Sequence, residues 1–394
     1  MLHWTELALR KTGCGDRTQF QKRFGLPVSG QWDLPTCRGL WPWLPGYALH
    51  RVQPGERLYQ IAQRYDSQVQ DIRAANRGCA DRVLPGQLLQ VPLPCAVVPW
   101  ETDFGSQLQE IFLDGLQARY PELESEILAR TAGGRPVRAL RLGHGRRRVL
   151  LTAAHHANEW ITGLLLWRLL EDYCRAIHTG GALFGFSAGM LLRQTTLHLV
   201  PLVNPDGVDL VTGEIPKNSP EYAAAEALAA ARPELPFPAG WKANLQGVDL
   251  NLSYPARWEL AREGKTPCPG PRDYPGTAPL CQPEAQALAD YTRRVAPDCA
   301  AAWHTQGGEI YAAAPDGSLP DGDMARRLAR ASGYRLAQVP AESANAGYRD
   351  WFLQEFHRPA YTIEAGRGEN PLPVGDLRRL YEENLPIFAL LLHG

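Results

Sequence analysis

Residues 149–162 read VLLTAAHHANEWIT. The run up to Ala154 is apolar apart from Thr152, as expected for a strand covered on both faces. An amphipathic helix follows, predicted over Trp160 to Ile177. His156 and Glu159 stand three residues apart where strand gives way to helix. An HxxE pair alone is a weak signal, but at such a junction both side chains can converge on one ion. A catalytic zinc site needs three protein ligands and one open position, so the third should be a distant His or acid. His304 fits, closing the apolar run CAAAWH and preceding the glycine-bearing turn TQGG.

Around this junction, strand-like runs (Val149 to Ala154, Thr196 to Val203, Ala300 to Trp303, Ala360 to Ile363) alternate with helical ones (Trp160 to Ile177, Pro283 to Val295, Leu377 to Leu392). The alternation predicts an α/β domain over residues 95–394, with a mixed sheet flanked by helices. Two Pro- and Gly-rich insertions, Ile215 to Gly240 and Gly264 to Gln282, are expected to shape a substrate cleft.

The chain has 394 residues, long enough for two or three domains. Lys+Arg and Asp+Glu nearly cancel at 41 against 42, which gives no electrostatic reason to expect nucleic acid or an anionic membrane as partner. The opening residues MLHWTELALRKTG carry charges every few positions and lack the apolar core of a secretory signal. The most apolar stretch, Ile161 to Leu170, is too short to span a membrane. The eight cysteines include no CxxC pair; Cys14 with Cys37 and Cys268 with Cys281 flank compact loops and are candidate disulfides in an oxidising compartment.

Two small modules precede the α/β domain. Residues 1–46 contain CGDRTQFQKRFGLPVSGQWDLPTCRGL, with a helix predicted over Asp16 to Phe24 and a turn-rich segment after it. Phe20, Phe24, Leu26, Val28, Gly30, Trp32, Thr36 and Leu40 occupy the pattern positions of the three-helix peptidoglycan-binding module, which this run resembles. Residues 47–94 read as strand, helix, helix, strand: YALHRVQPGERLYQIAQRY, VQDIRAANRG, LPGQLLQVP. Leu58, Ile61, Ala62 and Tyr65 share one helical face after the Pro54–Gly55 turn. This βααβ pattern resembles a LysM domain, and the resemblance implies a glycan partner containing N-acetylglucosamine.

The ordered motifs HHANEWIT, NPDGVDL, GVDLN, WHTQG and TIEAGRG, from about Pro99 onward, resemble the zinc carboxypeptidases of the carboxypeptidase A type. The resemblance implies Zn²⁺ held by His156, Glu159 and His304, with Glu364 as general base. It places Lys242 where the family has an Arg beside the reacting carbonyl, keeping the charge without the forked geometry. Asn251 matches a residue that helps hold a terminal carboxylate, but the Arg that should follow is Leu252. The family's mobile Tyr is also displaced: Phe352 and Leu353 follow Asp350–Trp351, and Tyr348 is either its stand-in or a loop aromatic. Arg367 either reads a substrate carboxylate or caps its loop. His155 is expected to be packed and hydrogen-bonded, and Asn204 and Asp206 to brace the NPDG turn.

Peptidoglycan-binding module, LysM module and altered peptidase together resemble the γ-D-glutamyl-meso-diaminopimelate peptidases of spore-forming bacteria. The resemblance implies hydrolysis of peptidoglycan stem peptides by a protein at the cell wall or in a sporulation compartment, forespore or mother cell. A metallocarboxypeptidase for other peptides and a wall-binding protein with a dead catalytic domain are the alternatives. The intact metal triad and Glu364 speak against the second.

Overall fold

The computed structural model describes residues 4–44, 46–76, 79, 82–314, 317–340 and 344–394. They form two compact units, Met1–Thr102 with Gln107–Glu124, and Asp103–Ser106 with Ser125–Gly394.

The first unit opens with helices Trp4–Lys11, Arg17–Arg23 and Leu34–Leu40. Asp16 and Asp33 cap the second and third by accepting the N–H groups of Gln19 and Thr36. Buried Gln21 pins the turn between them: its Nε2 donates to Thr36 Oγ1 (2.7 Å) and its Oε1 accepts from Gly30 N (2.9 Å). Phe20 and Leu40 are core residues, whereas Phe24 and Val28 are exposed. Strands β1 (Tyr47–Arg51) and β2 (Leu88–Pro92) then pair antiparallel around helices Leu58–Arg64 and Val69–Ala75, which is the βααβ order expected. Leu58, Ile61, Ile72, Leu89 and Val91 fill their core. Asn76 ends the second helix and locks it to β2 through Nδ2 to Gln90 O (2.7 Å) and Gln90 N to Oδ1 (2.9 Å). Helix Ser106–Arg119 lies largely in this unit, and Arg119 Nη2 donates to Gly46 O (2.6 Å) and Leu93 O (2.8 Å).

The second unit is built on an eight-stranded mixed sheet of β3 (Glu124–Arg130), β4 (Pro136–Leu142), β5 (Arg147–Ala153), β8 (Thr195–Val200), β9 (Cys299–His304), β10 (Glu309–Tyr311), β11 (Arg335–Ala337) and β12 (Ala360–Glu364). The short hairpin β6 (Ala182–Leu183) and β7 (Phe186–Ser187) stands apart from it. The spatial order is β11-β10-β12-β9-β5-β8-β4-β3, with β12, β9, β5 and β8 mutually parallel at the centre. β8 and β9 are buried along their whole length, as central parallel strands must be. Helices Ile161–His178, Pro283–Val295, Tyr348–Phe356 and Leu377–His393 belong to this unit. Among the described residues no helix is long and apolar enough to cross a membrane.

Sequence and structure differ in three places. The insertion Ile215 to Gly240 contains a helix, Pro220–Ala229, capped by Ser219 with Pro at its first turn. The edge strands β3 and β11, and β4 and β10 beside them, have no counterpart in the apolar runs. No disulfide joins Cys14 to Cys37 or Cys268 to Cys281. The sulfurs face other partners: Cys14 Sγ lies 3.9 Å from Arg23 Nη1, Cys37 Sγ 3.9 Å from Trp32 O, and Cys281 Sγ 3.8 Å from Gln282 Nε2.

Glu284, at the start of Pro283–Val295, is buried with Oε1 3.3 Å from Asn244 Nδ2 and no partner for Oε2 among the described residues. Burial pushes its carboxyl up to about 7, and the charge of Asp206 adds to this. The folded chain therefore keeps a proton that the unfolded chain has lost, so stability falls as pH rises from about 4.5 to 7 and then levels off. Glu284→Gln is expected to raise stability by about 1–3 kcal/mol at pH 8 and to change little at pH 4. Denaturant melts at both pH values check this; an unchanged pH slope in the variant would refute it.

Candidate active site

Three adjacent parallel strands end at one place. His156 and Glu159 follow β5, His304 is the last residue of β9, and Glu364 is the last of β12, in register with His304. The carboxyl ends of parallel strands are where open α/β sheets place their sites, because the loops diverge there and leave a crevice.

The donor atoms converge tightly. His156 Nδ1 lies 2.8 Å from Glu159 Oε1, His304 Nδ1 lies 2.9 Å from Glu159 Oε2, and the two Nδ1 atoms are 3.1 Å apart. All three residues are buried and form the one group of metal-capable side chains found among the described residues. A tetrahedral ion with ~2.1 Å bonds spaces its ligand atoms by about 3.4 Å, so two imidazole nitrogens and a carboxylate at these separations fit Zn²⁺ with little movement. The backbone helps: Glu159 sits in a short 3₁₀ turn, Ala157–Glu159, whose N–H at Ala157 donates to Lys242 O (3.0 Å).

Asp249 stands behind His156. Its Oδ1 is 3.3 Å from His156 Nε2, leaving Nδ1 toward the other donors, the arrangement in which a carboxylate fixes a ligand's tautomer and orientation. Lys242 Nζ is 3.8 Å from the other Asp249 oxygen. Burial opposes the charged form of Asp249, but Lys242 and His156 outweigh it and hold the carboxylate well below its usual range. In the same way burial opposes the His156 imidazolium, while Glu159 and Asp249 overcome this and hold it up to about 8 in the metal-free chain. His304 is shifted downward, chiefly by burial. His155 bonds through Nε2 to Tyr254 OH (3.2 Å) and stacks on His304, a packed histidine as expected. Asn204 caps its turn through Gly207 N, and Asp206 accepts from Thr131 Oγ1 and Gly133 N, both bracing residues.

A cleft of about 760 Å³ opens over the donors. Lys242, Asn251, Leu252 and Glu364 line it, as do Lys265 and Arg272 from the second insertion and Arg232 from the first. Burial, then the neighbouring Glu159 carboxylate, pushes Glu364 up to about 8 in the metal-free chain.

Two expectations require correction. Tyr348 does not face the cleft: its ring is in the core against Tyr254, Trp351 and Phe352, and its OH bonds Thr292 Oγ1 (3.1 Å). As the first residue of a helix it shares one face with Trp351 and Phe352, three and four positions on, and that face is buried. Arg367 is exposed and lies against Gly308, outside the cleft lining, because the chain turns away from β12 at Gly366 (φ +74°).

The zinc carboxypeptidase family model matches residues 110–387, well over half of the chain. The chain belongs to the zinc carboxypeptidase family. It is an enzyme of metallopeptidase type, and the family's cofactor is Zn²⁺. A LysM domain model matches residues 50–92. The chain is 43% identical over 276 residues to gamma-D-glutamyl-L-diamino acid endopeptidase 1 of Lysinibacillus sphaericus, covering 69% of this chain and 68% of the relative. It is 37% identical over 287 residues to YqgT of Bacillus subtilis strain 168, covering 70% and 73%. Among solved structures, bovine thrombin-activatable fibrinolysis inhibitor aligns with TM-score 0.57 at 19% identity over 75% of this chain and 97% of that one, a likeness of fold.

Within this zinc carboxypeptidase, two cleft residues escape the motif reading. Asp249 lies inside GVDLN, two residues before Asn251, and its signal is the need of a ligating histidine for an acceptor on its second nitrogen. Arg349, next to Tyr348, also lines the cleft.

Proposed function

We propose that the chain hydrolyses the γ-D-glutamyl bond to meso-diaminopimelate in peptidoglycan stem peptides, using zinc held by His156, Glu159 and His304. The observation that carries this is a cleft with the donor triad and Glu364 intact but Leu252 where the family clamps a C-terminal carboxylate. The likeness to the Lysinibacillus gamma-D-glutamyl-L-diamino acid endopeptidase supports the same bond class. The LysM domain supports cell-wall association through glycan chains, and the three-helix segment 1–46 is assigned a second wall-binding role. The setting proposed is the cell wall or a sporulation compartment. Tethering to the wall raises the local concentration of stem peptides without entering the chemistry.

Zinc, when bound, polarises the scissile carbonyl and lowers the pKa of water. Glu364, on the neighbouring strand end, takes the proton of the attacking water and passes it to the leaving amine of the diamino acid. Hydroxide adds to the γ-carbonyl carbon of D-glutamate, the carbon–nitrogen bond breaks, and the amine leaves with the transferred proton. Lys242 supplies positive charge beside the developing oxyanion while Asp249 holds His156 in orientation.

A substrate with an ordinary C-terminal L-carboxylate loses a charge-assisted contact at Leu252 that contributes about 1.5–3 kcal/mol, or roughly 10- to 150-fold in rate constant. The L-centre carboxylate of γ-D-Glu-meso-diaminopimelate meets the same Leu252, but its γ-D-glutamyl and distal amino-acid groups offer contacts that a hippuryl dipeptide lacks. Paired kinetics on the two are therefore expected to favour the former by about tenfold or more. An equal or better kcat/KM on the hippuryl compound would leave the zinc peptidase standing and remove the wall-peptide assignment.

A further inference from the structure

We infer that Arg349, paired with Asp350, forms the subsite that reads the free amino-acid end of the diamino acid side chain, and so selects diaminopimelate over lysine. This rests on the bond assignment proposed above and adds the residue that carries its specificity.

Arg349 and Asp350 both line the cleft, yet both are more than nine-tenths buried. They sit in the first turn of helix Tyr348–Phe356. Arg349 Nε (3.2 Å) and Nη2 both donate to Asp350 Oδ1, while Asp350 Oδ2 accepts from Asn345 N (2.9 Å). That leaves Nη1 of Arg349 buried without an acceptor among the described residues. A buried guanidinium edge with no partner is costly in a resting protein and is the kind of group a ligand's anion completes.

The surroundings suit a carboxylate. Asn251 Oδ1 is taken by Tyr348 N–H (3.0 Å), so the amide nitrogen is what Asn251 can offer a ligand. Asn251 and Asp350 flank the same glycine: a Cβ on Gly347 would lie 3.7 Å from Asn251 Oδ1 and 3.6 Å from Asp350 Oδ2. Arg349 thus brings a cation into the cleft from another element, the Tyr348–Phe356 helix.

The pair also explains a preference within diamino acids. The distal centre of meso-diaminopimelate carries an ammonium and a carboxylate on one carbon, and Arg349 beside Asp350 offers donors and an anion side by side. L-Lysine presents the ammonium alone, so it leaves Nη1 unsatisfied. Arg suits this task better than Lys because its planar fork can hold Asp350 and a second carboxylate at once.

The test uses the full-length, zinc-loaded chain and two dipeptides, γ-D-Glu-meso-diaminopimelate and γ-D-Glu-L-Lys. Wild type is expected to prefer the first by about tenfold or more in kcat/KM. Arg349→Gln is expected to lose that preference, falling about tenfold on the diaminopimelate peptide and changing little on the lysine peptide, with zinc content unchanged. Arg349→Lys is expected to restore part of it. Equal losses on both substrates, with the preference kept, would make Arg349 a packing residue and overturn the inference. If Arg349→Gln does not fold, the double variant Arg349→Gln/Asp350→Asn, which leaves no unbalanced buried charge, is read in the same way. Wild-type turnover of neither dipeptide would instead overturn the bond assignment. In that case direct titration of the zinc-loaded chain with free meso-diaminopimelate and with L-lysine reads the subsite: equal affinity for the two refutes it.

Discussion

Glu364→Gln is expected to lower kcat by about 10²- to 10⁴-fold while one zinc per chain is retained. The amide has the shape of the carboxylate and stays at the end of β12, but it cannot accept a proton from water or deliver one to the leaving amine. The three metal donors come from β9 and the turn after β5, so the change leaves them in place. Elemental analysis for zinc and steady-state kinetics on γ-D-Glu-meso-diaminopimelate measure the two halves separately. Unchanged turnover would move the general base elsewhere; loss of zinc would show that Glu364 shapes the donor set rather than the proton path.

The parts of this fold that reached the surface of the sequence are those with a simple physical signature. β5, β9 and β12 are legible because central parallel strands are apolar on both faces, and the residues that end β9 and β12 or follow β5 carry the chemistry. Asn76 and the Pro54–Gly55 turn mark the βααβ module through local chemistry alone. β10 and β11, three residues each, bury too little to leave a pattern. Tyr348 is misplaced by reading GYRDW as a displaced loop motif, although Tyr348, Trp351 and Phe352 carry the helical i, i+3, i+4 spacing that buries them. The same helical reading turns Arg349 away from that core face. Arg367 illustrates the reverse error, since closeness in sequence to Glu364 says nothing about direction once the chain passes a left-handed glycine. Asp249 is a partner of a ligand rather than a ligand, and no spacing rule announces such residues.

Stripping the metal is expected to abolish turnover, with recovery on adding back Zn²⁺, and to lower the melting temperature. The buried donors are already drawn together: Glu159 is held well below its ordinary range, because His156 and His304 outweigh the burial that opposes its charge. An ion binding only the folded chain stabilises it by about 2.7 kcal/mol when free metal is 100 times Kd. His304→Ala removes one of three ligands and should leave a chain that folds but purifies with far less than one zinc. Asp249→Asn is the graded comparison, since it keeps all three ligands and removes only the charged acceptor behind His156. Its expected cost is about 10- to 100-fold in zinc affinity or activity. Zinc titrations followed by melting temperature place the three forms in order, wild type above Asp249→Asn above His304→Ala. A metal-free preparation with full activity would sink the assignment of the triad, and an Asp249→Asn chain with wild-type affinity would mean that Asp249 orients nothing.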